Sequence, residues 1–483
     1  MFKKKPENPE TKIKENNQPK IKKRPGPVLR KIITGVIGVL TVVILVGGVV
    51  ALANKDMVKN LLSQSGLKQE NQELKNKYAE FLAEVYDTVR QNYWNNLTDE
   101  ELFNLYKLGT EKIQKETITE IQIPEVIASK DKAGLKAMVT DITAKLDDAK
   151  KKDYAVNLAA VVLANLEPFG RSGLYTTKKQ EDLKNRVMNI DPETNLYDVL
   201  GITKEATPEE IAQNAEQKTD EYNKIVQDET QSEEARKEAE QKLALVDRAK
   251  ETLTAPEKKE NYDKEGVEAT VVAELVKPDI FYIKIKQLSP LTLEEFQKAV
   301  DKIDQTADDN LDNLILDLRG NIGGSVDILP NFLGPFFGKN QYVYDWYQKG
   351  QYTPFRTATD ALPSLARYKR MVVLTDGGTQ SSAEVMTASF KRFNKGFVVG
   401  TRTKGWGTIE RVFDLKNQID ANETYSVFLV HHITLRDDNQ PIEGRGIDPL
   451  VSTEEENWTD KLNSYYNYKT LTAAVEEVWA EKK

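Results

Sequence analysis

The chain has 483 residues, enough for about two to four domains, and its 39% hydrophobic and 30% charged residues are typical of folded domains rather than of disorder. It has no cysteine, which excludes disulfides, a cysteine nucleophile and thiolate metal sites, and its only histidines, His431 and His432, argue against a multi-histidine metal centre. Residues 1–31 hold eleven lysines and arginines against three acidic residues in a chain of net charge −8, so a basic tail precedes an acidic body, and no nucleic-acid partner is expected.

Residues 32–53 form an uncharged, mostly apolar run directly after Arg30 and Lys31. As a helix these 22 residues span about 33 Å, enough to cross a bilayer core of about 30 Å. The positive-inside rule then places residues 1–31 in the cytoplasm and the bulk of the chain outside it. A cleaved signal peptide, ending near Ala51-Leu52-Ala53, and a buried soluble helix are the alternatives. The long basic tail and the long apolar run favour a retained, single-pass anchor in the cell membrane.

Residues 54–194 are charged and have a helical pattern. In one stretch apolar residues recur at three- and four-residue steps, as on a buried helix face: Tyr78, Phe81, Leu82, Val85, Tyr86 and Val89. Residues 130–166 have a similar pattern and end in an apolar stretch. We expect packing and spacer helices here, namely a stalk and an N-terminal helical domain, and assign them no chemistry.

From residue 267 the pattern changes to short apolar strands that alternate with helical stretches. Strands are predicted at 280–285, 314–318, 371–375 and 396–400, and a helix at 291–303. This alternation implies an α/β core, which we place at 267–455. A helical tail is expected at 456–483.

The α/β region holds three sequence blocks and a closing turn, each only moderately specific by itself. They are FYIKI with LILDLRGNIGG (281–285 and 314–324), VLTDGGTQSSAEV (373–385), VVGTRTKGWGTIE (398–410) and GRGIDP (444–449). In this order they resemble the DLRxNxGG turn, the SASASE turn, the GxxTxGKGxxQ segment and the GxGxxPD end of the carboxy-terminal processing, or tail-specific, serine peptidases. The resemblance covers roughly 267–451. It implies an α/β core of the tail-specific protease or ClpP/crotonase-like type, here preceded by all-α segments and one N-terminal transmembrane helix.

The second block contains the candidate nucleophile, because a polar turn after a buried strand leads into a helix at Ser381. Backbone amides at a helix start are unpaired and can hold an oxyanion while a serine attacks a carbonyl. The resemblance places the nucleophile at Ser381, one oxyanion amide at Ser382 and the other in the Gly323–Gly324 turn. Two alternatives stay open: Ser381 is only a helix N-cap, or Ser382 is the nucleophile in a turn shifted by one residue.

The general base is the point at which the chain departs from the family. The resemblance implies a Ser–Lys dyad, whose lysine must lose its proton near neutral pH, but Trp406 stands at the lysine position and Glu410 at that of a supporting glutamine. Lys404 lies two residues earlier, so it would share a strand face with position 406 and become a displaced base; otherwise it is a solvated surface lysine. His431 is a further candidate base without a clear partner.

A second resemblance lies at 195–266, where the family usually has a PDZ domain. NLYDVLGITKEATPEEI (195–211) is similar to the opening of a J domain, and AKETLTAPEKKENYDKEG (249–266) is similar to its end. J domains act on their chaperone ATPase through a His-Pro-Asp turn after the second helix, expected here at 220–227, where no such tripeptide occurs. The resemblance therefore implies a degenerate J-like domain, a spacer or polypeptide-docking module, without a chaperone ATPase partner. A charged helical insert without any ligand is the alternative.

Two functions remain in view. The first is a membrane-anchored, extracytoplasmic serine endopeptidase of the C-terminal processing type, with Ser381 as nucleophile, Lys404 as displaced base and Glu410 as its support. The second is a protease-fold protein that binds polypeptides without cutting them. Ser381, Glu384 and the glycine turn favour the first, whereas Trp406 favours the second. Both imply a polypeptide partner, and neither needs a metal or another cofactor.

Overall fold

The computed structural model describes residues 76–306 and 311–480. The basic tail at 1–31 and the predicted anchor at 32–53 lie outside these residues. Within the described ranges, no helix combines the length and the apolar character that a bilayer crossing needs.

Helices and strands follow the chain in this order. The helices are α1 (Lys77–Asn92), α2 (Asp99–Glu116), α3 (Lys132–Ala144), α4 (Asp148–Ala164), α5 (Thr177–Met188), α6 (Leu196–Leu200), α7 (Pro208–Gln227), α8 (Glu233–Leu253), α9 (Pro256–Glu265), α10 (Thr292–Thr306), α11 (Leu329–Phe337), α12 (Pro363–Ala366), α13 (Ser382–Arg392), α14 (Trp458–Tyr466) and α15 (Lys469–Ala480). The strands are β1 (Gly173–Thr176), β2 (Val271–Lys277), β3 (Ile280–Ile285), β4 (Asn313–Asp317), β5 (Tyr342–Gln348), β6 (Gln351–Arg356), β7 (Arg370–Thr375), β8 (Phe397–Gly400), β9 (Thr408–Asp414), β10 (Tyr425–Thr434) and β11 (Val451–Ser452).

The predicted α/β core is a six-stranded sheet in the order β11-β8-β7-β4-β3-β2, parallel except for the antiparallel pair of β2 and β3. Successive side chains of β3 point to opposite faces. Phe281 and Ile283 pack with α10, α11 and α13, whereas Ile280 and Tyr282 pack with α14 and α15. The C-terminal helices therefore cover one face of the core sheet rather than forming a loose tail.

A second sheet, antiparallel, was not predicted from the sequence. Strand β10 is its longest member and pairs with β1, β5 and β9, while β6 pairs with β5. The strand β1 lies inside the segment that we expected to be entirely helical. Its four residues are too short for a periodic signal, and pairing with Tyr425–Phe428 of β10, far along the chain, stabilises it.

The four N-terminal helices share one hydrophobic core with this second sheet. The predicted helix face is buried, with Phe81, Leu82 and Val85 fully enclosed, and it packs with Val427 and Leu429 of β10. Because the N-terminal helices and the second sheet share this core, the described portion of 54–194 packs as a layer on that sheet and is not a separate stalk.

Residues 195–266 form a helical unit, α6 to α9, with a small core of its own that includes Leu196, Ile211 and Leu253. The chain enters and leaves this unit at one place, where Ile190 pairs with Val267 in an antiparallel bridge. Arg248 of α8 donates to Asp191 at 2.9 Å and to Glu268 at 2.8 Å, so both sides of this neck are tied to the unit.

The prediction that the position of a His-Pro-Asp turn falls at 220–227 is wrong. Residues 220–227 lie inside α7, whose capping box at Thr207 and Glu210 and whose length of 20 residues carry it to Gln227. The turn that follows the second helix is therefore 228–232, with the sequence DETQS. It also lacks the tripeptide, so the inference drawn from that absence does not change.

Candidate active site

Ser381 sits on a strained turn between a buried strand and a buried helix. Strand β7 ends at Thr375, and the Asp376 carboxylate accepts from the amides of Gly320, Gly378 and Thr379 at 2.9–3.0 Å, which fixes the turn. Ser381 then has φ 57° and ψ −128°, a backbone conformation that non-glycine residues rarely adopt. Such strain at a half-exposed serine is typical of a side chain held in place for a reaction.

The glycine-rich turn after β4 lies directly against Ser381. A side chain at Gly323 would place its Cβ 2.7 Å from Ser381 Cβ and 2.9 Å from the Gln380 carbonyl, so only glycine allows this approach. Asn321 stabilises the turn by accepting from the Gly323 amide at 2.8 Å and by donating to the Ile285 carbonyl at 2.7 Å.

The four residues expected to hold an oxyanion or to attack are thus brought together, and the contacts refine their roles. The Gly323 amide is already committed to Asn321. The amides of Gly324 and Ser382, by contrast, have no acceptor among the residues that the structure describes. Of the two glycines, Gly324 is therefore the one whose amide remains available to a ligand, as does the Ser382 amide at the start of α13.

Glu384 joins the serine turn to the segment that precedes β9. Its Oε2 accepts from the amides of Ser381 at 2.9 Å and Trp406 at 2.7 Å, and its Oε1 accepts from Thr403 Oγ1 at 2.5 Å and the Gly405 amide at 2.7 Å. Burial raises the pKa of Glu384, while these four donors oppose that effect. Because one oxygen serves both amides, residue 406 lies beside Ser381.

Glu384→Gln is expected to lower the free energy of unfolding by about 2–4 kcal/mol, because each carboxylate oxygen accepts from two donors and the new NH₂ group must face one of these pairs. Urea denaturation measures this loss. Glu410→Gln is the matched control: both of its donors, Trp406 Nε1 and Thr408 Oγ1, meet the same oxygen, which the amide can retain. An equal loss in the two variants would contradict the role given to Glu384.

The side chain of Trp406, the residue predicted to stand at the lysine position, is held from two sides. The Arg171 guanidinium lies 3.5 Å above the indole ring, and the indole Nε1 donates to Glu410 Oε1 at 3.2 Å. Arg171 is in turn paired with Glu443 at 3.0 Å, and Glu443 accepts from the Gly407 amide at 2.7 Å. Burial raises the pKa of Glu410, so the cleft holds a carboxyl group that gains a proton more readily than usual.

The two other candidate bases lie elsewhere. The Lys404 side chain is exposed, does not line the cleft described below, and its amide donates to the Thr379 carbonyl at 2.9 Å. His431 faces His432, with 2.8 Å between their Nδ1 atoms, and Gln348, and its pKa is lowered to about 4, chiefly by burial. It does not line the cleft either.

The remaining site residues surround one cavity of about 920 Å³, a size suited to several residues of an extended ligand. The predicted residues that line it are Gly323, Gly324, Ser381, Ser382, Trp406 and Glu410. Sequence reasoning missed Arg171, which comes from the loop between α4 and β1 and had no signal of its own. It also missed Glu443, although that residue directly precedes the closing turn at 444–449.

A serine on a strained turn at a helix start, next to a glycine turn with an available amide and inside a peptide-sized cleft, could attack a carbonyl while that amide stabilises the oxyanion. Residues 279–453 match the model described as peptidase family S41.

Two curated relatives match the same region. A probable CtpA-like serine protease from Staphylococcus aureus (strain COL) is 29% identical over 196 residues, which are 39% of this chain and 38% of that protein. A carboxy-terminal-processing protease from Bartonella bacilliformis is 26% identical over 182 residues, 37% of this chain and 40% of that protein. The chain thus spans about two fifths of the length of these relatives. The matches support peptidase family S41, that of C-terminal processing proteases, for this region.

Solved structures are similar at a lower level. The photosystem II D1 C-terminal processing protease has a TM-score of 0.34 and 20% identity, covering 39% of this chain and 49% of that one. A lipoprotein from Streptococcus agalactiae has a TM-score of 0.38 and 15% identity, covering 80% of this chain and 94% of that one.

Proposed function

We propose that the chain is a serine endopeptidase of the C-terminal processing type that acts on polypeptides, with Ser381 as its nucleophile. The contact of the Gly323 turn with strained Ser381 carries the proposal. That contact joins a nucleophile and an oxyanion donor, Gly324, in one cleft, and forming it costs backbone strain that packing alone does not explain.

In this mechanism Ser381 Oγ attacks the carbonyl carbon of the scissile peptide bond. The Gly324 and Ser382 amides stabilise the negative charge that develops on the carbonyl oxygen. A base takes the Ser381 proton and passes it to the leaving amine, and water then releases the acyl chain from the serine. Lys404 is the proposed base and Glu410 its proposed support. Because the Lys404 side chain is exposed and does not line the cleft that holds Ser381, this role requires the loop at 401–407 to rearrange.

A second candidate function is polypeptide binding without cleavage, and one observation favours it. Trp406 occupies the place beside Ser381 where the resemblance puts a lysine, and Arg171 and Glu410 hold its ring there. An indole cannot accept the serine proton. A cleft lined by Trp406 would still bind an extended polypeptide.

Anchoring and location complete the proposal. The apolar run at 32–53 behind a basic tail supports a single membrane span, with the cytoplasm on the side of residues 1–31 and the peptidase outside it. The helical unit at 195–266, similar to a J domain at both ends, then serves as a spacer or as a docking module for polypeptides. The absent His-Pro-Asp tripeptide argues against a chaperone ATPase partner.

Cleavage of a labelled, permanently unfolded reporter by the full-length protein in detergent micelles tests the two candidates. For a peptidase, Ser381→Ala is expected to lower the cleavage rate by about 10³-fold or more, and Lys404→Ala by about 10²-fold if Lys404 is the base. Wild-type protein that binds the reporter but does not cut it would establish the binding function. Full activity of Lys404→Ala would remove Lys404 from the mechanism and leave Ser381 in it.

A further inference from the structure

Strand β2 is at the end of the core sheet and leaves one edge open. The Thr270 carbonyl accepts from the Lys286 amide toward β3, whereas the Val271 amide donates to Glu295 at 3.0 Å and the Val271 carbonyl accepts from Lys258, both away from β3. In an antiparallel strand, the backbone N–H and C=O groups of successive residues point alternately to one edge and to the other. The backbone groups of Ala273 and Leu275 therefore also face the open edge. They have no hydrogen-bond partner among the residues that the structure describes.

This edge lies in a groove of about 880 Å³ between α9 and α10, here called the β2 groove, lined by Pro256, Ala273, Glu274, Leu275, Ala299 and Asp301 among others. Leu275 is 37% exposed there. Such an edge is an open template for another strand unless it is covered. The β2 groove combines this template with an apolar surface.

The charges of the β2 groove are not balanced. Lys298 pairs with Glu257 at 2.8 Å and with Glu294 at 2.9 Å. Asp301 is an exposed carboxylate in the groove without an ion-pair partner in the described part of the chain. An occupant with a basic side chain would complement it.

We propose that the β2 groove is a second binding site for the polypeptide substrate, which adds there as an extended strand along Ala273 and Leu275. An apolar side chain of the substrate packs on Leu275, and a lysine or arginine meets Asp301. The proposal rests on the proposed function for the nature of the ligand. It concerns a surface separate from the catalytic cleft, since the β2 groove and the cleft share no lining residue.

The test measures binding rather than cleavage. The probe is a fluorescein-labelled peptide of alternating valine and threonine with a lysine near each end, titrated by fluorescence anisotropy into full-length Ser381→Ala protein in detergent micelles. In that background Ala273→Pro removes one outward amide, which an edge strand tolerates, and is expected to weaken binding about five-fold. Ala273→Val keeps the amide and is expected to change binding less than about two-fold.

Three further measurements test the charge contact, the backbone hydrogen bonds and the folding of the variants. Asp301→Lys, at an exposed helix position, is expected to weaken binding of the lysine probe and to strengthen binding of a twin probe with glutamate in place of lysine. A twin probe with N-methyl groups on alternate amides is expected to lose binding. Circular dichroism and melting confirm that each variant is folded.

Equal affinity of Ala273→Pro and Ala273→Val for the probe, or full binding of the N-methylated probe, would overturn the β2 groove as a strand-docking site. Failure of the proposed function is recognised separately. If wild-type protein does not cut the unfolded reporter but Ala273→Pro still weakens the lysine probe, the groove stands and the peptidase function falls.

Discussion

In a Lys404→Ala background, Trp406→Lys combined with Glu410→Gln is expected to raise the rate of polypeptide cleavage by about 10²–10⁴-fold, the usual contribution of a general base. Glu384 Oε2 accepts from both the Ser381 and the Trp406 amides, so a lysine at 406 would start beside the nucleophile. Within the cleft, partial burial would lower its pKa and favour the neutral amine that can take the serine proton. Cleavage of the unfolded reporter at several pH values measures the gain, which should increase toward alkaline pH.

The single variants are the controls for this result. In Trp406→Lys alone, the Glu410 carboxylate would lie next to the new ammonium group, raise its pKa and keep it protonated, so we expect a much smaller gain. Glu410→Gln alone supplies no base and is expected to give none. A folded variant with both changes that cuts no faster than Lys404→Ala would show that position 406 is not where the base belongs.

Gly323→Ala is expected to lower cleavage by about 10²-fold or more and to lower the free energy of unfolding by about 2–4 kcal/mol. The new Cβ would come within 2.7 Å of Ser381 Cβ and 2.9 Å of the Gln380 carbonyl, so the two turns must separate. That separation would move the Gly324 amide away from the developing oxyanion. Initial rates and urea denaturation measure the two effects.

Gly320→Ala is the matched control, because it lies in the same turn, also has positive φ, 69°, and has open space around its would-be Cβ. An alanine at 320 would carry the backbone strain of a non-glycine residue at positive φ, about 1–2 kcal/mol, but its Cβ would not collide with a neighbouring atom. Its cleavage rate is expected to stay within a few-fold of wild type. If both variants lose activity equally, strain in the turn and not the contact with Ser381 explains the effect.

The sequence predicted the core sheet well because its strands are buried on both faces and therefore form short, continuous apolar runs, such as 314–318 and 371–375. The helix face at Tyr78–Val89 was recognised for a related reason, since one side of it meets a core and the other meets water. Elements that are buried regularly along the chain have a regular apolar sequence pattern, which predicts them.

The second sheet and part of the site could not be predicted, because their partners are far apart in sequence. Strand β1 exists only through its pairing with β10, and Arg171 reaches Trp406 only because that pairing brings the loop before β1 to the cleft. The positions of Ser381, Gly323 and Trp406 came from the resemblance. Only the three-dimensional structure shows that Glu384 joins them and that the Lys404 side chain is exposed.

The neck at Ile190 and Val267 has a consequence for how such a chain can change over evolutionary time. Because the two ends of the helical unit are paired side by side, closing the chain after its removal or exchange costs little chain entropy, and the contacts of α9 with Val271 and Lys298 are among those that would be lost. The unit has its own small core, so it does not depend on the protease-like body for its packing. Modules of different ancestry can therefore occupy this position while the rest of the protein keeps its sheet order and its cleft.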